Sequence, residues 1–143
     1  AKRMLKPVQK FNVQIKTPKD VANLLMNEMR FEKRELVKTI LLNSKNFVVK
    51  VVDVVSGETN FANVTAKQIL VEAVKMQIGK IILVHNHPSG DPTPSKADYE
   101  LTRGLVKASD IMGISLLDHI VIGDNKYESI FSRREFKDET IRF

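Results

Sequence analysis

Apolar residues recur at helical spacing just after residue 18: Val21, Leu24, Leu25 and Met29 fall on one face of a 3.6-residue turn while polar side chains fill the rest. Thr17-Pro18-Lys19-Asp20 is the start signal, with Thr17 as N-cap, Pro18 at the first helical position and Asp20 favourable to the helix dipole. The pattern then changes to short β-branched runs. Strands are predicted at 36–42 and 47–55, joined by Asn43-Ser44-Lys45-Asn46, whose polar residues suit a hairpin turn. Gly57 and Asn60, around Glu58 and Thr59, predict a further turn. Thr65-x-x-Gln68 caps a second helix to about Ile78, closed by Gly79. Lys80-Ile81-Ile82-Leu83-Val84 reads as a buried strand ending at His85. A third helix starts at Ser95, carries the apolar stripe Leu101, Leu105, Ala108, Ile111 and Met112, and stops at Gly113. Strands near 114–122 and 127–131 complete a mixed sheet flanked by helices, so the expected fold class is α/β of the α+β type.

Composition narrows the setting. At 143 residues, with 43% hydrophobic and 28% charged residues, the chain has the size and balance of one soluble domain. No apolar run approaches the roughly 18 residues that span a bilayer and no signal-peptide core opens the chain, so no membrane partner is expected and the cytoplasm is the default address. Without cysteine there is no disulfide framework and no thiolate metal site. The net charge of +6 has a location: Lys2, Arg3, Lys6, Lys10, Lys16 and Lys19 precede the first acidic residue, Asp20, and the 17 acidic residues match the basic ones that remain. The expected division is a basic arm or linker over 1–16 and one domain over 17–143. Such an arm can contact DNA phosphates or serve as a linker, and the linker reading is preferred.

The chemistry concentrates in His85-Asn86-His87-Pro88-Ser89-Gly90-Asp91-Pro92-Thr93-Pro94-Ser95-Lys96-Ala97-Asp98. Strand alternation sends His85 and His87 to one face and Asn86 to the other. The prolines stiffen the loop that follows, and Asn86, Ser89 and Asp91 are expected to shape it. Asp98, in the first turn of the third helix, can face back toward the histidines. Two imidazoles and a carboxylate suit one zinc ion with a fourth position open for water, whose pKa zinc lowers to roughly 7. Ser95-x-x-Asp98 equally satisfies a capping box, and a histidine pair on a strand face also occurs at packed or solvated edges.

His85-x-His87, seven residues, Ser95, two residues, Asp98 resembles the motif of the JAB/MPN metalloprotease-like (JAMM) domains, and Leu83–Ser95 with Leu116-Leu117-Asp118-His119 is similar to their RadC branch. The resemblance runs from about Thr17 to Phe131. It implies a cytidine-deaminase-like JAB/MPN architecture, zinc held by His85, His87 and Asp98, Ser95 holding the oxyanion, and an upstream glutamate acting on the water. That glutamate heads a core strand in the family, which points to Glu35 before Leu36-Val37-Lys38-Thr39-Ile40-Leu41-Leu42, with Glu32 and Glu28 as competitors and a solvated surface charge as the plainer account. Relatives in the group cleave isopeptide bonds, so the expected function is zinc-dependent hydrolysis of peptide or isopeptide bonds, with a peptide or protein substrate. The alternative is a noncatalytic or DNA-repair-associated module whose metal holds the loop. RadC-like chains carry a helix-hairpin-helix region before this domain; it is absent here, so the chain reads as a fragment whose DNA contacts run through the arm or the missing region. Asp118-His119 either orients a metal ligand or is a satisfied buried pair.

Overall fold

Five strands form one mixed sheet in a computed structural model that describes residues 12–55 and 61–141. Gly57, Asn60 and the arm residues Lys2, Arg3, Lys6 and Lys10 lie outside the described residues. In chain order the elements are α1 (Pro18–Met29), β1 (Val37–Leu42), β2 (Val48–Val55), a 3-10 turn (Phe61–Asn63), α2 (Ala66–Lys75), β3 (Lys80–Asn86), α3 (Lys96–Ile111), β4 (Ser115–Ile122), β5 (Tyr127–Ser129) and α4 (Arg134–Ile141). The strands lie in the order β2-β1-β3-β4-β5. Among the described strands only β3 and β4 pair in parallel, and α3 supplies the crossover that a parallel pair requires.

Both faces of the sheet are covered, and alternation divides the core in two. Ile40, Leu42, Ile82, Val84, Ile120 and Ile122 pack with Val21, Leu25 and Met29 of α1. Val37, Leu41, Ile81, Leu83 and Leu116 pack on the other face with Ile69, Leu70 and Ala73 of α2 and Leu105 of α3. This is why β1 and β3 read as unbroken apolar runs. Among the described residues no helix is long and apolar enough to cross a membrane.

The local signals hold at most ends. Asp20 accepts hydrogen bonds from the Lys16 and Thr17 N–H groups at 2.7 and 2.9 Å. Asn43 Oδ1 closes the hairpin by accepting from the Lys45 and Phe47 N–H groups. Three expectations are corrected. α2 ends at Lys75, with Gln77 rather than Gly79 in the left-handed position at φ +55°; the Ile78 N–H reaches back to the Ala73 carbonyl, and this pairing fixes the stop earlier. Ile111 (85% exposed) and Met112 (53% exposed) are not core residues, because the buried stripe of α3 is Asp98, Thr102, Leu105 and Ser109. α4, which the apolar pattern did not announce, is anchored by Phe136 against Val121 and Ile130, and β5 stops at Ser129.

Thr39 is fully buried in β1, on the side of Val37 and Leu41, and its hydroxyl finds no partner among the described residues. Leaving such a group unsatisfied costs roughly 1–3 kcal/mol. Thr39→Val is therefore expected to raise stability by about 1 kcal/mol or more in chemical denaturation. An unchanged or lowered midpoint would show that the hydroxyl is satisfied.

Candidate metal centre

His85 ends the buried stretch of β3 on the α2/α3 side, and its ring is wholly shielded from solvent. His87 follows in extended register because its N–H donates to the Ile122 carbonyl at 2.9 Å. Two residues of extended chain bring the rings to one side, with their Nε2 atoms 3.1 Å apart. Asp98, in the first turn of α3, completes the group: Oδ1 lies 3.4 Å from His85 Nε2 and Oδ2 lies 3.1 Å from His87 Nε2.

The loop between them is held at both ends. The Gly90 N–H, at φ +90°, donates to the His87 carbonyl at 2.9 Å, and the Gly90 carbonyl accepts from the Asp124 N–H at 2.8 Å. A Cβ on Gly123 would lie 2.3 Å from that carbonyl oxygen, so the approach of the β4–β5 turn to the loop needs glycine. Asp91 Oδ1 accepts from the Thr93 N–H and hydroxyl, and the Asp91 carbonyl accepts from His87 Nδ1–H at 2.9 Å. That bond leaves the Nε2 lone pair of His87 facing the group. The capping box also forms: Ser95 Oγ accepts from the Asp98 N–H at 3.0 Å, and Asp98 Oδ2 accepts from the Ser95 N–H at 2.8 Å. The two accounts of Asp98 therefore coexist, since the cap orients the carboxylate that meets the histidines.

Glu35 arrives from the segment before β1. Ligand atoms of Glu35, His85 and His87 all lie within 4.8 Å of one another. Glu35 Oε1 accepts from the Phe61 N–H at 2.6 Å, and the Phe61 ring stacks on His85 at 4.2 Å with an interplanar angle of 5°. From the other face of β3, buried Asn86 accepts from the Leu36 N–H at 2.5 Å and donates to the Arg34 carbonyl at 3.1 Å, pinning the chain on either side of Glu35. Of the competitors, Glu28 lies 3.7 Å from Lys38 in an ion pair, and Glu32 joins no group of this kind among the described residues.

Asn86 is thus more than a loop-shaping residue, and Phe61 and Thr102 were not anticipated. Asn86 carried a signal only in part, because alternation sends it to the face opposite the histidines but does not say which segment it meets there. Thr102 carried one too, being one turn beyond Asp98 on the same helical face. Phe61 carried none. Asp118 and His119 separate: Asp118 accepts from Ser129 Oγ, the His119 N–H and the Phe131 N–H, whereas His119 Nε2 lies 2.8 Å from His85 Nδ1. Burial pushes the Asp118 carboxyl up despite those bonds, and burial drives the His119 imidazole well below its ordinary range.

The donor set fits a divalent cation. Imidazole nitrogens 3.1 Å apart and facing one carboxylate are an arrangement that a shared positive charge relieves. Imidazole and carboxylate without thiolate suit zinc. In the metal-free protein a proton plays that part. Burial by itself would raise the Asp98 carboxyl, but the two imidazoles beside it outweigh that and hold Asp98 well below the usual carboxylate range. The bond to Asp98 raises His87 above its ordinary value, against the effect of burial. A depressed carboxylate contributes stability above its ordinary 3.8 that is lost as pH falls through its folded value. A raised histidine contributes stability below its ordinary 6.5 that is lost as pH rises through its folded value. Metal-free protein is thus expected to draw most from this pair between those two values and to lose stability toward pH 8, whereas zinc-loaded protein gains stability over the same rise because the metal displaces the proton. Thermal midpoints at pH 6 and 8, with zinc and with chelator, check the crossing of the two trends. Parallel trends would remove the proton–metal competition.

A family model described as RadC-like JAB domain matches residues 15–136. A UPF0758 protein of Clostridium botulinum (strain Loch Maree / Type A3) is 49% identical over 116 residues, covering 81% of this chain and 51% of the relative. A UPF0758 protein of Alkaliphilus metalliredigens (strain QYMF) is 48% identical over 116 residues, covering 81% of this chain and 50% of the relative. The chain spans about half the length of the curated relatives it matches.

Proposed function

The chain belongs to the RadC-like JAB domain family, and from that premise we propose that it is a zinc-dependent hydrolase of peptide or isopeptide bonds. The observation that carries the reading is the convergence of Glu35 on His85 and His87 beside Asp98. A purely structural zinc site closes its coordination with four protein ligands and has no use for a base. A carboxylate held by its own backbone donor next to two histidines and an aspartate is what hydrolysis requires.

His85, His87 and Asp98 would hold the metal, which when bound supplies a Lewis acid that polarises a carbonyl and makes water nucleophilic near neutral pH. The chain's own residues do the rest. Glu35, with Oε1 occupied by the Phe61 N–H, presents its other oxygen to take the proton of the attacking water and pass it to the leaving amine nitrogen. One C–N bond breaks, one C–O bond forms, and the proton travels on Glu35 from water to amine. Ser95 uses its oxygen as a helix cap and so keeps its hydroxyl hydrogen for the developing oxyanion. Phe61 shields the inner face of His85 from water.

The test is a panel of peptide-linked and isopeptide-linked amide substrates offered to protein stripped of metal and then reloaded with zinc. Cleavage that disappears with chelator and returns with zinc is the expected result. Zinc bound at the three ligands with no cleavage across the panel would favour the noncatalytic module.

A further inference from the structure

We propose that Thr102 and His119 are positioning residues that hold His85 in the single tautomer able to present a lone pair at Nε2. The proposal rests on the zinc reading of the site and adds what keeps one of its ligands competent. Thr102 and His119 are both fully buried. Thr102 lies on the inward stripe of α3, one turn beyond Asp98. His119 pairs in register with Leu83 of β3, two residues before His85. Three contacts join them: Thr102 Oγ1 lies 2.7 Å from the Asp98 carbonyl, His119 Nδ1 lies 2.6 Å from the same hydroxyl, and His85 Nδ1 lies 2.8 Å from His119 Nε2.

Counting protons fixes the direction of each bond. The hydroxyl of Thr102 has one hydrogen, and a carbonyl can only accept, so the hydrogen goes to Asp98. Toward His119 the hydroxyl then accepts, and Nδ1 of His119 carries the proton. A neutral imidazole protonated at Nδ1 has its lone pair at Nε2, so the hydrogen between the two rings belongs to Nδ1 of His85. Nε2 of His85 is left as a lone pair on the side of His87 and Asp98. The reverse order would set two acceptors against each other at 2.7 Å and put an N–H where the cation must sit.

The relay starts on the main chain of one ligand and ends on the ring of another, tying α3 through β4 to β3. Most metal-binding histidines direct their second nitrogen to a carboxylate, a backbone carbonyl or water. Here the acceptor is another imidazole, which works only if that imidazole is itself held in the right tautomer.

The experiment compares wild type, Thr102→Ser and Thr102→Val. Ring nitrogen shifts of His85 are read by NMR in metal-free protein, and zinc affinity is read by competition with a chromophoric chelator. Valine has the shape of threonine without the hydroxyl, and serine restores the hydroxyl. Wild type and Thr102→Ser are expected to show His85 protonated at Nδ1 with similar zinc affinity. Thr102→Val is expected to populate the other tautomer and to lose roughly 10–100-fold in zinc affinity, the scale of outer-shell substitutions. Should Thr102→Val fail to fold, His119→Gln keeps both an acceptor and a donor and is expected to retain far more affinity than His119→Leu. An unchanged His85 tautomer and unchanged affinity in Thr102→Val, or equal loss in the serine and valine variants, would overturn the proposal. If wild type binds no zinc, the metal reading fails, and the tautomer in metal-free Thr102→Val still decides this one.

Discussion

Zinc reloading of wild-type protein is expected to give close to one metal per chain, and His87→Ala is expected to abolish it. Of the three proposed ligands, His87 is the one whose loss reports most cleanly. Its ring is 16% exposed and stands at the end of the sheet, so truncation opens the rim of the site without emptying the core, whereas His85 is wholly buried under Phe61. Removing it leaves one imidazole and one carboxylate, and zinc affinity is expected to fall by more than the roughly 10–100-fold typical of outer-shell partners. A ligand that binds only the folded state adds about 2.7 kcal/mol of stability at a concentration of 100 times its Kd. Zinc should therefore raise the thermal midpoint of wild type and leave that of His87→Ala where it was. Elemental analysis after desalting measures the first effect and thermal melts the second. Equal metal content in both proteins would remove His87 from the ligand set.

What the sequence made legible was what depends on neighbours along the chain. Strand alternation put His85 and His87 on one side, the Ser95 cap put Asp98 in the first turn, and Gly113 stopped α3. The stripe on α3 was misread because burial there follows the site: Thr102 and Ser109 are inside while Ile111 is not. Which member of Asp118-His119 faces the centre was also beyond local reasoning. A register shift between β3 and β4 pairs Ile81 with Leu116 but Ile82 with Asp118, so Leu117 is an extra residue and the parity of β4 changes there. That shift, and not the spacing of residues in β4, delivers His119 to His85 and turns Asp118 to the opposite face. The same holds for Phe61, whose place under Glu35 and His85 depends on contacts more than twenty residues distant in sequence.

Glu35→Gln separates a base from a ligand. The glutamine side chain keeps the size of glutamate and retains an oxygen for the Phe61 N–H, so the segment pinned by Asn86 should keep its course. What it loses is the ability to take a proton. Zinc content is therefore expected to stay at the wild-type level, while kcat on a substrate found in the panel falls by roughly 10² or more, the scale of general base catalysis. Glu32→Gln should change neither quantity. Asn86→Ala adds a geometric control, because it frees the chain at Arg34 and Leu36 without touching the carboxylate; activity should fall while zinc content stays. Loss of zinc in Glu35→Gln would make Glu35 a fourth ligand and close the site against chemistry. Full activity with zinc bound would assign the proton transfer to another group, and Ser95, whose oxygen caps the helix that carries Asp98, would be the next to replace.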